Sequence, residues 1–178
     1  MTDAPLLVNI MLLGNGIEAC IEKRLLIPAL ILMYSGIDVM GWLASDEDDA
    51  SKKSFIKWAD TYLLKDSPLK CSALDLYAAR CALLHTMTAR AKPIPKARPR
   101  QICYAFDAAQ VQRIQLSIDL AKAGGRFVAI HLNDLWEAWR IGFVRFLDDA
   151  SKDPAMKRRA LEKAGAFYST VKMEEVEA

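Results

Sequence analysis

The sequence has few of the residues on which enzyme sites are most often built. Only two histidines occur in 178 residues, and the four cysteines stand singly, without the paired spacing of a zinc site or a disulfide framework. It contains no glycine-rich phosphate loop, nucleophile elbow or zinc-protease helix. These absences predict a cytoplasmic protein with reduced thiols that uses neither a metal nor an organic cofactor.

The chain also lacks a strong excess of charge of either sign. Lysine and arginine number 24 against 22 acidic residues, which gives a net charge of +2. Such a balance excludes a generally basic surface for nucleic acid, so any contact with RNA must come from a local patch. A content of 53% hydrophobic and 26% charged residues is typical of a globular protein, and we predict a single domain over residues 1–178.

One long apolar run, at residues 25–44, is compatible by composition with a membrane span. Asp38 lies in the middle of that run and Pro28 near its start. An acidic side chain at the centre of a bilayer is costly. We therefore predict a buried core helix and no contact with a membrane.

The spacing of apolar residues predicts a mainly α-helical bundle with a small two-stranded β element in its second half. Residues 6–13 fit either a helix or a strand and precede a turn at Gly14-Asn15-Gly16. Predicted helices cover 17–43 with a kink at Pro28, Ser51 or Ser54 to 64, 69–88, 107–123, a segment capped by Asn133, and 154–168. Predicted strands cover 101–106 and 126–132, in either relative sense, and residues 45–49 and 173–178 are predicted to be an acidic loop and a frayed tail.

The predicted helix at 69–88 carries the chain's most distinctive pair, Arg80 and His85. An imidazole titrates near neutrality and a guanidinium stays charged, so the pair suits proton transfer and charge stabilisation at a phosphodiester. Five residues at roughly 100° each leave the two side chains about 140° apart around the helix axis. Either the length of the arginine or a second copy of the motif must close that gap.

The alternative is structural. Leu74, Tyr77, Cys81 and Leu84 recur at helical spacing and are predicted to form the stripe that faces the core. In that case His85 is a histidine at the core edge, and Arg80 is an ion-pair partner of Asp38 or Asp75. His131, the second histidine, is predicted to be structural.

The R-x4-H spacing on a helix, with Asp75-Leu76-Tyr77 before it and Leu83-Leu84 ahead of His85, resembles the signature helix of the HEPN superfamily. The upstream run Tyr34-Ser-Gly-Ile-Asp38 strengthens the resemblance. Members of this superfamily are small helical bundles, commonly dimeric, and many are metal-independent ribonucleases or toxins. The resemblance implies a homodimer in which two such helices face each other.

By this resemblance Arg80 and His85 are the catalytic residues of an endoribonuclease that cleaves RNA through attack by the 2′-hydroxyl. Asp38 and Tyr34 on the first long helix, with Tyr77 and Cys81, are candidate supporting residues. The implied setting is toxin–antitoxin or defence, with an antitoxin or other protein partner. Cys81 stands where active members often have a polar residue. The alternative is therefore a non-catalytic module that binds a partner protein or a nucleotide.

A basic, proline-rich segment follows the motif helix at residues 89–100. Its prolines disfavour helix, and it contains no acidic residue. We predict that it neutralises RNA phosphates beside His85; the alternative is an ordinary solvated loop. The candidate RNA-binding residues are Arg90, Lys92, Lys96, Arg98 and Arg100.

Overall fold

The computed structural model describes residues 4–87 and 98–167. Within them the chain forms seven helices and one sheet of two strands, which confirms the prediction of a mainly helical protein with a small β element in its second half. The elements are α1 (Ala4–Glu22), α2 (Leu26–Ala44), α3 (Lys52–Trp58, continued by a π-helical turn Ala59–Leu63), α4 (Ala73–Thr86), β1 (Gln101–Ala105), α5 (Val111–Leu120), β2 (Phe127–His131), α6 (Leu132–Lys152) and α7 (Pro154–Ala164).

Helix α2 lies at the centre of the bundle and contacts α1, α3, α4, α6 and α7. Its side chains at Met33, Tyr34, Ile37 and Met40 are fully buried. The helix is long and apolar enough to cross a membrane, but half of that apolar window is buried inside the protein, and the core helix of a soluble protein passes the same test.

The start of the chain differs from the prediction. Helix α1 continues through Gly14, Asn15 and Gly16, where a turn was expected, and the break comes instead after Glu22, where Arg24 has a φ of 56°. Pro28 then lies in the first turn of α2. A proline is tolerated there because the N–H that it lacks would have no partner within the helix, so α2 begins near Pro28 and no kink is needed.

Helix α3 begins at Ser51, whose hydroxyl accepts a hydrogen bond from the Ser54 N–H in a capping box. The helix buries Phe55 and Trp58, and the π-helical turn that extends it buries Tyr62 and Leu63. Helix α6 approaches this turn closely at Gly142, where a Cβ atom would lie 3.2 Å from backbone atoms of the turn. The wide turn is therefore part of the packing between α3 and α6.

Strands β1 and β2 are parallel, with Gln101 opposite Phe127, and α5 connects them. The sequence alone did not predict whether the two strands are parallel or antiparallel. The prediction that Asn133 caps α6 is wrong, because the cap is His131, whose Nδ1 accepts from the Asn133 N–H at 3.2 Å. His131 Nε2 is 3.1 Å from the Asp107 carbonyl oxygen. A carbonyl only accepts, so Nε2 carries the proton, and this histidine has a structural role.

Candidate functional site

The N-terminal end of α4 is held by a capping box. Ser72 accepts from the Asp75 N–H at 3.1 Å, and the Asp75 carboxylate accepts from the Ser72 N–H at 2.9 Å. The helix ends at Thr86, and Met87 directly after it has a left-handed φ of 50°. Arg80 and His85 lie in the second half of this helix, so their spacing is set by a regular α-helical turn.

Arg80 forms an ion pair with Asp38 of α2. Its Nε lies 2.7 Å from Asp38 Oδ2, and the two side chains are 23% and 19% exposed. Burial raises the pKa of Asp38, and the hydrogen bond and charge of Arg80 oppose that rise. Burial is the largest single effect on the pKa of Arg80 and lowers it, but the hydrogen bond and charge of Asp38, together with the neighbouring Cys81, raise that pKa above its ordinary value. Of the two partners considered for Arg80, the structure selects Asp38.

Arg80 also contacts His85. Its Nη1 lies 3.3 Å from His85 Nε2, and the imidazole is exposed. A guanidinium nitrogen only donates, so Nε2 must be the unprotonated nitrogen in this contact and Nδ1 must carry the proton. The arginine's length thus closes the angular gap around the helix within one chain.

Tyr77 and Cys81 flank this pair on the same helix. The Tyr77 ring packs edge-on against Phe55 at 5.4 Å, and the Lys52 ammonium lies 5.7 Å from its centre. Burial, followed by the neighbouring Cys81 thiol, raises the pKa of Tyr77. The same thiol is among the groups that raise the pKa of Arg80, so Cys81 lies beside both side chains.

The core-facing side of α4 is not the one predicted. Leu76 and Leu83 are buried, whereas the four positions of the predicted stripe are only half-buried. Those four are Leu74, Tyr77, Cys81 and Leu84. With exposed His85 beyond them, they form a partly uncovered apolar face, which we call the open face of α4.

The candidate supporting residue Tyr34 is bonded to strand β1. Its hydroxyl hydrogen-bonds to the hydroxyl of Tyr104 on β1, and Tyr34 is completely buried. Burial, then the neighbouring Tyr104, raises the pKa of Tyr34 well above its ordinary value. No sequence signal pointed to Tyr104, because the contact joins residues 70 positions apart.

The basic segment is described only in part. Arg90, Lys92 and Lys96 lie outside the described residues, and Arg98 is exposed. Arg100 is engaged in the fold: its Nη2 donates to Asp75 Oδ2 at 2.8 Å and to the Lys70 carbonyl at 2.9 Å.

One described cleft does not include the residues of this site. Within residues 4–87 and 98–167, no three His, Cys, Asp or Glu side chains come together as a metal site. An open cleft of about 420 Å³ lies beside β2 and α5, and its walls include Lys70, Gln115, His131 and Asp134. Asp38, Arg80 and His85 do not line this cleft.

No protein-family profile, curated protein or solved structure matches the chain. The geometry of Asp38, Arg80 and His85 is therefore the basis on which a function is proposed.

Proposed function

We propose that the protein is a metal-independent endoribonuclease of HEPN-like type, with His85 and Arg80 as its catalytic residues. The observation that carries the proposal is the contact of Arg80 with Asp38 on one side and His85 on the other. An exposed imidazole beside an oriented guanidinium supplies the two kinds of group that phosphodiester cleavage requires.

Asp38 positions the arginine. Because Asp38 accepts from Nε, the guanidinium plane is fixed and its Nη1 edge is directed toward His85. An RNA phosphate that accepts from this edge competes with His85 for the same donor. Phosphate binding therefore frees His85 Nε2 at the place where a base is needed.

The reaction follows from these groups. His85 removes the proton from the ribose 2′-hydroxyl, the oxygen attacks phosphorus, and the bond to the 5′-oxygen breaks, leaving a 2′,3′-cyclic phosphate. The departing oxygen takes a proton from a second acid. Arg80 stabilises the charge that gathers on the phosphoryl oxygens. In the homodimer that we propose, the two His85 side chains supply the base and the acid.

The open face of α4 supports this dimer. Its four half-buried apolar residues lie beside the catalytic pair, and Met87 at the end of the helix is 69% exposed. Large apolar side chains grouped at the surface are typical of protein contacts. A second copy seated on this face brings two Arg80–His85 pairs together. The four free thiols support a reducing, cytoplasmic setting.

Cleavage of labelled single-stranded RNA in excess EDTA tests the proposal. We expect wild type and Arg113→Ala, an exposed arginine of α5 used as the matched control, to cleave. Arg80→Ala and His85→Ala should not, and RNA with a 2′-deoxy sugar at the cleavage position should remain intact. The product should end in a cyclic phosphate.

If both catalytic variants cleave as wild type does, the site is excluded. RNA or nucleotide binding without cleavage by any variant would instead favour a non-catalytic binding module. The circular dichroism of each variant, compared with wild type, separates loss of chemistry from loss of fold.

A further inference from the structure

The last turn of α2 and the loop that joins α2 to α3 together hold the side-chain ammonium of Lys163. Lys163 Nζ lies 2.7 Å from the Trp42 carbonyl oxygen, 2.9 Å from that of Ser45 and 2.7 Å from that of Glu47. The Ser45 hydroxyl is 3.4 Å away. A lysine ammonium has three N–H donors, so each carbonyl takes one of them.

An aromatic ring adds to this arrangement. The Lys163 ammonium lies 5.4 Å from the centre of the Trp42 ring, a distance at which the face of an indole attracts a cation. The ring is fixed to the same loop, because Trp42 Nε1 donates to the Asp48 carbonyl oxygen at 2.5 Å. Oxygen acceptors and an aromatic face therefore surround one cation.

Two acidic side chains of the loop, Asp46 and Glu47, are engaged elsewhere. Asp46 pairs with Arg159 of α7 at 2.9 Å, and Glu47 pairs with Lys53 at 3.0 Å. Burial lowers the pKa of Lys163, and the nearby charge of Asp48 opposes that effect. Backbone carbonyls, rather than carboxylates, thus make the direct contacts to this ammonium.

We propose that the α2–α3 loop is a binding site for a primary ammonium group, which Lys163 fills from within the chain. The Trp42 carbonyl lies in the last turn of α2 and Ser45 is its C-cap, where a helix carries partial negative charge. Three converging acceptors match three N–H donors of R–NH₃⁺. They do not match a planar guanidinium, and a quaternary ammonium has no N–H to donate.

The site also connects distant parts of the chain. It docks α7 onto the end of α2, one helical turn beyond Asp38, which orients Arg80. Filling the site is therefore expected to hold the last turn of α2 in place. This inference does not depend on the ribonuclease proposal.

Chemical rescue of Lys163→Ala tests the proposal. We expect this variant to unfold at a temperature several degrees below wild type, and methylammonium to raise its midpoint by more than it raises that of wild type. Tetramethylammonium at the same ionic strength should not restore it. Lys163→Met is the matched control, because its side chain fills the space without N–H donors and should not respond to methylammonium.

Equal responses to the two ammonium salts, or equal responses of the Ala and Met variants, would show a general salt effect and overturn the proposal. A thermal unfolding midpoint of Lys163→Ala equal to that of wild type would also overturn the proposal. If Lys163→Ala does not fold, reductive methylation of folded wild type tests the proposal instead. We expect Lys163 to be modified more slowly than Lys157, an exposed lysine of the same helix, and equal rates would contradict the proposal.

Discussion

Arg80 Nη1 lies 3.3 Å from His85 Nε2, although five positions on one helix separate the two residues. Because guanidinium nitrogens cannot accept a hydrogen bond, His85 Nε2 is the acceptor in this contact, and the tautomer that makes it carries its proton on Nδ1.

Replacing Asp38 with Asn tests how far Arg80 depends on its partner. The amide removes the charge that holds Nε, so we expect the turnover number for RNA to fall by about 100-fold, the order of loss for a misplaced catalytic group, with a smaller change in KM. Single-turnover kinetics measure the two separately. Asp119→Asn, at an exposed position of α5, is the control and should keep wild-type kinetics.

Asp75 is predicted to be a major source of stability. It is 3% exposed and accepts from the Ser72 N–H and from both the backbone and the guanidinium of Arg100. Asp75→Ala leaves those N–H donors without an acceptor, and we expect a loss of about 3–5 kcal/mol in the free energy of unfolding. Urea denaturation measures it. Exposed Asp49→Ala should change stability by less than about 0.5 kcal/mol, and an equal loss in both variants would contradict the assignment.

Replacement by alanine should change the stability of the protein in opposite directions at two helical glycines. At Gly41 a Cβ would lie 2.9 Å from the Ser54 backbone, so α2 and α3 must separate. We expect Gly41→Ala to lose about 1–3 kcal/mol. At Gly16 the nearest atom, on the Leu32 side chain, is 3.5 Å away, and Gly16→Ala should gain about 0.5–1 kcal/mol from helix propensity. Thermal unfolding checks both signs, and a stabilising Gly41→Ala would contradict this packing.

Burial raises the pKa of Cys71 from 9.0 to about 12. Its thiol should therefore react with iodoacetamide more slowly than that of half-buried Cys20, because the thiolate is the nucleophile. Peptide mass mapping after brief alkylation at mildly alkaline pH measures the two rates.

The raised pKa of Cys71 also affects stability. Between pH 9.0 and about 12 the folded protein keeps a proton on this thiol that the unfolded chain releases, so the thiol's contribution to stability falls as pH rises through that window.

Arg98 belongs to the part of the basic segment that the structure describes, and its side chain is exposed. If it contacts an RNA phosphate, Arg98→Ala should weaken binding equally for different sequences and reduce the slope of log K against log salt by about 0.7. Fluorescence anisotropy over a range of salt concentrations measures the slope. Arg113→Ala should leave it unchanged, and an unchanged slope for Arg98→Ala would remove this residue from the interface.

Elements with local signals were predictable. Ser51, one of the two predicted starts, caps α3, and α7 begins at Pro154 as predicted, directly after the capping side chain of Asp153. The glycines of α1 were misread because their local preference for a turn gave way to packing. A Cβ atom added at Gly14 would lie 3.6 Å from the Trp136 ring of α6, so the packing at this glycine involves a residue more than a hundred positions away.

The sequence by itself determined that Arg80 and His85 share a helix, because capping and periodicity act over a few residues. Only the tertiary structure decided which side of that helix is buried. Leu76 is buried and the Tyr77–Cys81 side is left partly open, because the burial of each side depends on how α2, α3 and β1 pack around α4. The packing of α2 also places Asp38 against Arg80, and burial of both partners makes that contact specific.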